Sequence, residues 1–152
     1  MKIGYMLLGV LAVAQFAFAA EMTSTSVSTP PSNVIGYGVQ RFFEAIDLAF
    51  TFDQTSKANK ISIYARKRLA EAAYEESKGN GQYSSALIQE YSNGINDIST
   101  IATDADRSGD SVTGLRVSNI AVLTAQSGTI KLTQIRSATD SLEIKNAASL
   151  VA

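Results

Sequence analysis

From Gly36 onward the apolar positions of the chain recur at steps of three and four, the spacing that places side chains on one face of an α-helix. Val39, Phe42, Phe43, Ile46, Ala49 and Phe50 predict a first helix that ends near Phe52-Asp53 and turns this aromatic face, Phe43 and Phe50 included, onto a second helix. That second helix is expected from about Ser56 to Lys78, with Ile61, Tyr64, Ala65, Leu69, Ala72 and Ala73 inward, and Gly79-Asn80-Gly81 stopping it. In a third, from about Gln82 to Thr103, Leu87, Tyr91, Gly94, Ile98, Ile101 and Ala105 alternate steps of four and three, the spacing of a packed seam. A fourth is expected over Val112 to Gln126, with Val112, Leu115, Ile120 and Leu123 inward and Ser127-Gly128 as its stop. A fifth follows from Thr129 to Leu150, burying Leu132, Ile135, Ala138 and Leu142. The β-branched residues between Val117 and Thr133 leave strand as the alternative there. Short connections between amphipathic helices favour antiparallel neighbours, so the fold class is all-α, an antiparallel bundle of about five helices over residues 34–152.

The stretch Gly36-Tyr37, Arg41-Phe42-Phe43-Glu44 through Leu48-Ala49-Phe50, the turn Thr51-Phe52-Asp53, and Ala65-Arg66-Lys67-Arg68-Leu69-Ala70-Glu71-Ala72 resembles the domain of unknown function 5667 family. The likeness runs from roughly Asn33 to Asn96. Members often carry a proline after the aspartate of the turn, where this chain has Gln54. The family occurs in exported and membrane-attached archaeal and bacterial proteins, so the resemblance implies a helical architecture and an extracytoplasmic address. It implies no catalytic or ligand-binding residue.

The N-terminus supports that address on its own terms. Lys2, an apolar run from Ile3 to Phe18, and small residues at Ala17 and Ala19 form the pattern of a cleavable signal peptide over residues 1–19, with the cut after Ala19. The alternative is a retained anchor, since the 18 residues from Ile3 to Ala20 lie at the lower limit for crossing a bilayer. Residues 20–33 are rich in serine and threonine and carry Pro30-Pro31, which suits a linker. No later apolar run reaches membrane-spanning length, so no span is expected after cleavage.

Composition narrows the chemistry. Of 152 residues, 13 are basic and 14 acidic, and removing Lys2 with the signal leaves 12 against 14. Such a balance gives no long-range attraction to nucleic acid. Cysteine, histidine and tryptophan are absent, which excludes disulfide staples, histidine- or cysteine-based triads and the usual zinc sites. Glu71, Glu75 and Glu76 stand among Lys67, Arg68 and Lys78 at helical spacing, and Lys57, Lys60, Lys67 and Arg68 form a stripe; both read as solvated, ion-paired faces.

One segment carries specific site chemistry. Asp104, Asp106, Ser108 and Asp110 occupy the first, third, fifth and seventh places of an EF-hand-like opening, with Gly109 at the sixth, and are candidate calcium ligands. Leu115 stands where a bidentate glutamate would close the site. The competing reading is a polar helix connection in which Asp110 caps the next helix.

These observations lead to an expectation of a secreted or cell-surface structural or interaction module of the cell envelope, not an enzyme, whose partner is an envelope protein or a second copy. The alternative is an extracytoplasmic carrier or sensor holding an apolar small molecule between Phe42, Phe43, Phe50, Tyr64 and Tyr91. Exposed aromatics would favour docking, and buried ones a passive fold.

Overall fold

The computed structural model describes residues 33–138 and Ser149, and the described chain is helical. Four helices follow one another: α1 (Val34–Ala49), α2 (Gln54–Ser77), α3 (Gly81–Arg107) and α4 (Ser111–Ala138). The expected signal peptide, nearly all of the linker and the C-terminal part of the expected fifth helix lie outside the described residues.

Local chemistry sets the boundaries. Asn33 caps α1 by accepting the Gly36 N–H at 3.2 Å, and Asp53 caps α2 by accepting the Ser56 N–H at 2.6 Å. The α2–α3 and α3–α4 turns are built alike. Gly79 and Gly109 take φ of +77° and +87°, a conformation natural to glycine. Around them the Asn80 N–H reaches the Glu75 carbonyl and the Asp110 N–H the Ala105 carbonyl, closing each helix with a Schellman motif.

Helices α2, α3 and α4 pack closely on one another, while α1 touches the rest far more sparsely. The core between the three long helices has two apolar clusters. Ala65, Leu69, Ala72, Leu87, Ile88, Tyr91, Leu132 and Ile135 fill one end, and Ala58, Ile61, Ile98, Ala102, Val117 and Ala121 the other. The seam expected on the third helix is observed, with Leu87, Tyr91, Gly94, Ile98 and Ala105 buried. A polar layer separates the clusters. Ser62 and Thr124 share a hydrogen bond of 2.7 Å, and the Tyr91 hydroxyl donates to the Thr124 carbonyl at 3.0 Å. The Thr124 hydroxyl already donates to Ile120, which leaves Ser62 as the donor of the shared bond.

Over the described residues the expected fourth helix and the first part of the expected fifth are one helix. α4 runs through Ser127-Gly128, because Gly128 is no stop: a methyl group there would overlap the Tyr91 phenol, so glycine makes room for that ring. The strand alternative is likewise replaced by helix. The inward face of α4 also differs from expectation. Gly114, Val117, Ala121, Thr124, Gly128, Leu132 and Ile135 are buried, whereas Val112 and Leu115 are 62% and 73% exposed. Small residues let α4 approach closely, and a scan for large apolar side chains passes over them.

Candidate functional site

The first helix lies on the bundle inside out. At 100° per residue, Ile35, Val39, Phe42, Phe43, Ile46 and Phe50 fall in one stripe about 100° wide. That stripe faces solvent: Ile35 is 83% exposed, Phe42 62%, Phe43 63% and Phe50 74%. The expectation that Phe43 and Phe50 pack on the second helix is therefore corrected. The opposite face, with Tyr37, Gln40, Glu44, Asp47 and Leu48, is turned to α2 and α3.

What receives that polar face is a buried charge cluster on α2. Arg68 is 1% exposed, and its guanidinium donates to Glu44 of α1, to Glu71 of its own helix, and to the Tyr37 hydroxyl at 2.8 Å. The same guanidinium sits 5.3 Å from the centre of the Tyr37 ring. Glu44 accepts in addition from Arg41 at 2.9 Å and from Lys67 at 3.0 Å, so three cations meet one carboxylate. Gln40 donates to Glu71 at 3.1 Å. Glu90 of α3 closes the cluster, 3.2 Å from Arg41 and 3.6 Å from Arg68 Nε. Three basic residues thus balance three acidic ones. One turn away, Asp47 accepts from Lys60 and, at 2.6 Å, from the Tyr64 hydroxyl.

The surroundings tune these groups in opposite directions. Burial pushes the Glu71 carboxyl up, against the pull of Arg68. Burial works the same way on Glu44, but Arg68, Lys67 and Arg41 together hold its carboxyl below the usual range. Hydrogen bonds from Lys60 and Tyr64 hold Asp47 low. Burial pushes the Tyr37 hydroxyl up to about 12, so it stays protonated at any physiological pH.

The reading of Glu71, Glu75 and Arg68 as solvated is corrected as well, since Glu71 and Glu75 are fully buried. Spacing along a helix is the same for exposed and buried ion pairs. A signal was nevertheless present: Ala65, Arg68, Ala72 and Glu75 continue the inward three-four steps of α2. Each carboxylate of the cluster has a cationic partner, so the arrangement is a clamp that holds α1 to α2 and α3.

A cleft of about 210 Å³ opens beside the clamp between α1, α2 and α3. Its floor is Leu48, Ile61, Ala65 and Gly94, and its rim includes Arg41, Glu90, Asn93 and Asp97. Sites for drug-sized ligands usually run to ~300–1,000 Å³ and are mostly apolar. Of the aromatics considered for an apolar ligand, only Tyr64 lines this cleft. Phe42, Phe43 and Phe50 point outward, and Tyr91 is in the core.

Each of the four candidate calcium ligands has a local role in the α3–α4 connection. Asp104 and Asp106 are in the last turn of α3, where Asp104 lies 3.5 Å from Arg107 and Asp106 rests over Gly114. Ser108 donates to the Ala105 carbonyl, and Asp110 accepts the Thr113 N–H at 3.1 Å as the cap of α4. Among the described residues no group of three acidic side chains is arranged to hold a metal ion.

With this geometry in view, the sequence profile of the domain of unknown function 5667 matches residues 28–143. The chain belongs to that family. The match reaches well past Asn96, so the family unit takes in all four described helices, α1 and its clamp included. No curated protein and no solved structure matches the chain.

Proposed function

We propose that this member of the family is an exported, non-enzymatic helical module of the cell envelope that acts by docking, with the outward face of α1 as its docking surface. One observation carries the reading. An aromatic stripe is held in solvent by a helix whose other face is tied down by buried ion pairs. Apolar patches beyond a few hundred Å² on a monomer mark interaction sites. The signal-peptide pattern over residues 1–19 and the Ser/Thr/Pro-rich linker over 20–33 support the extracytoplasmic address. The lack of histidine and cysteine supports a role without acid-base or thiol chemistry.

Because the chain has no cysteine, single cysteines report cleanly. Asn119→Cys places a thiol on the exposed surface of α4, and Val39→Cys places one in the stripe. On intact cells a membrane-impermeant maleimide should label Asn119→Cys, while Val39→Cys should be shielded on cells and labelled in dilute purified protein. Labelling of Asn119→Cys only after lysis would overturn the export reading. Equal labelling of both on intact cells would overturn docking.

A further inference from the structure

We infer that the occupant of the α1 stripe is a second copy of this chain, its α1 lying antiparallel across a two-fold axis between Phe42 and Phe43. The inference deepens the docking reading and rests on it. Its ground is a symmetry in the stripe. Ile35, Val39, Phe42, Phe43, Ile46 and Phe50 are separated by four, three, one, three and four residues, a palindrome about the Phe42-Phe43 bond. An isologous interface requires a surface complementary to itself under a half-turn. Antiparallel pairing sets Phe42 level with the partner's Phe43, Val39 with the partner's Ile46, and Ile35 with the partner's Phe50.

Three further observations fit a second copy. Charge is one: Arg41, Glu44 and Asp47, the charged residues of α1, lie off the stripe and are engaged by Lys60, Lys67, Arg68 and Glu90, so no like charges oppose across the two-fold axis. Close approach is another, because Gly38, Ala45 and Ala49 along one flank of the stripe are exposed and small. Area is the third. With about 150–250 Å² for an aromatic side chain and the exposures given above, the stripe offers on the order of 700 Å². A stable interface buries about 800 Å² on each partner, which the stripe and its small flank can supply.

The test uses the full chain in the form the producing cell leaves it. Sedimentation equilibrium across micromolar concentrations should give a dimer for the parent. The Phe42→Glu, Phe43→Glu double variant should be monomeric at every concentration, with unchanged helical circular dichroism, since both positions face solvent in the single chain. Orientation is read by oxidation. Val39→Cys mixed with Ile46→Cys should give a disulfide heterodimer, while Val39→Cys alone should not cross-link. In antiparallel pairing the two Val39 positions lie seven residues apart, about 10 Å along the helix. A disulfide spans at most about 7 Å between Cα atoms.

A parent that stays monomeric, a dimer that survives the double glutamate variant, or self-cross-linking of Val39→Cys would each overturn the inference. A monomer that cosediments with phosphatidylcholine and phosphatidylglycerol vesicles through the same stripe would assign the face to a membrane instead. A monomer whose Val39→Cys is still shielded on intact cells would overturn self-pairing and leave the docking reading standing.

Discussion

Arg68 is the residue on which the attachment of the first helix turns. It is buried with two carboxylates on its guanidinium, one from α1 and one from α2, and with Tyr37 beneath it. Removing a partner from a buried ion pair leaves its counter-charge without compensation, whereas removing both can be nearly neutral. Arg68→Ala should therefore destabilise by about 3–5 kcal/mol in thermal or urea unfolding. Arg68→Met combined with Glu71→Met should lose far less, because the apolar replacements fill the space and Glu44 keeps Lys67 and Arg41. Equal losses in the two variants would show that packing of the guanidinium, not its pairing, is what matters. Gly128 makes a related point about shape. It sits in mid-helix, where glycine is unfavourable, because the Tyr91 phenol occupies the space a side chain would need.

At the scale of the element, α1 is held by charge where α2, α3 and α4 are held by packing, and the two respond differently to acid. Glu44 and Asp47 both have carboxyls held below their ordinary values. A depressed carboxylate contributes stability that is complete above its unfolded pKa, about 4, and is lost as pH falls through the folded value. Glu71 has the opposite sign, since its carboxyl is pushed up and its protonation on acidification favours the folded state. The loss thus falls on the acid limb, and apart from the exposed helix caps Asp53 and Asp110, which are also held low, it falls on the contacts of α1. Hydrogen exchange, corrected for its intrinsic pH dependence, should show α1 amides losing protection at pH ~3 relative to pH ~7 while the core of α2 to α4 keeps it. Uniform protection of all four helices at the lower pH would contradict a charge-held α1. The same contrast explains what was legible beforehand. Leu87 through Ala105 announced the α3 seam because apolar spacing and burial agree there. On α1 the spacing located a stripe correctly but carried no information about what it faces, since its polar side finds its charge partners in residues such as Lys60, Lys67 and Arg68, up to two dozen residues away. The Asp104 to Asp110 segment allowed two readings from one set of residue types, and only the backbone placed Asp104 and Asp106 inside α3.

For the whole molecule, the proposed address and the proposed interface meet at the N-terminus. A bundle without a single cysteine has no disulfide to hold it at the proposed address, and the three long helices supply a core of adequate size to do without one. The fate of residues 1–19 sets the surroundings of α1. If Ile3 to Phe18 were retained as an anchor, α1 would follow it after only a short polar linker, and its stripe would be held near the bilayer. If the segment is cleaved, the stripe is free to meet a second copy in solution or on the cell surface. The small residues Ala17 and Ala19 and the polar Gln15 within the run favour cleavage after Ala19. Intact mass spectrometry of the protein recovered from its producing cell should give a chain beginning at Ala20, found outside the cytoplasm. A chain that still begins at Met1 and fractionates with membranes would overturn cleavage, and it would shift the expected neighbour of Phe42 and Phe43 from another α1 toward lipid.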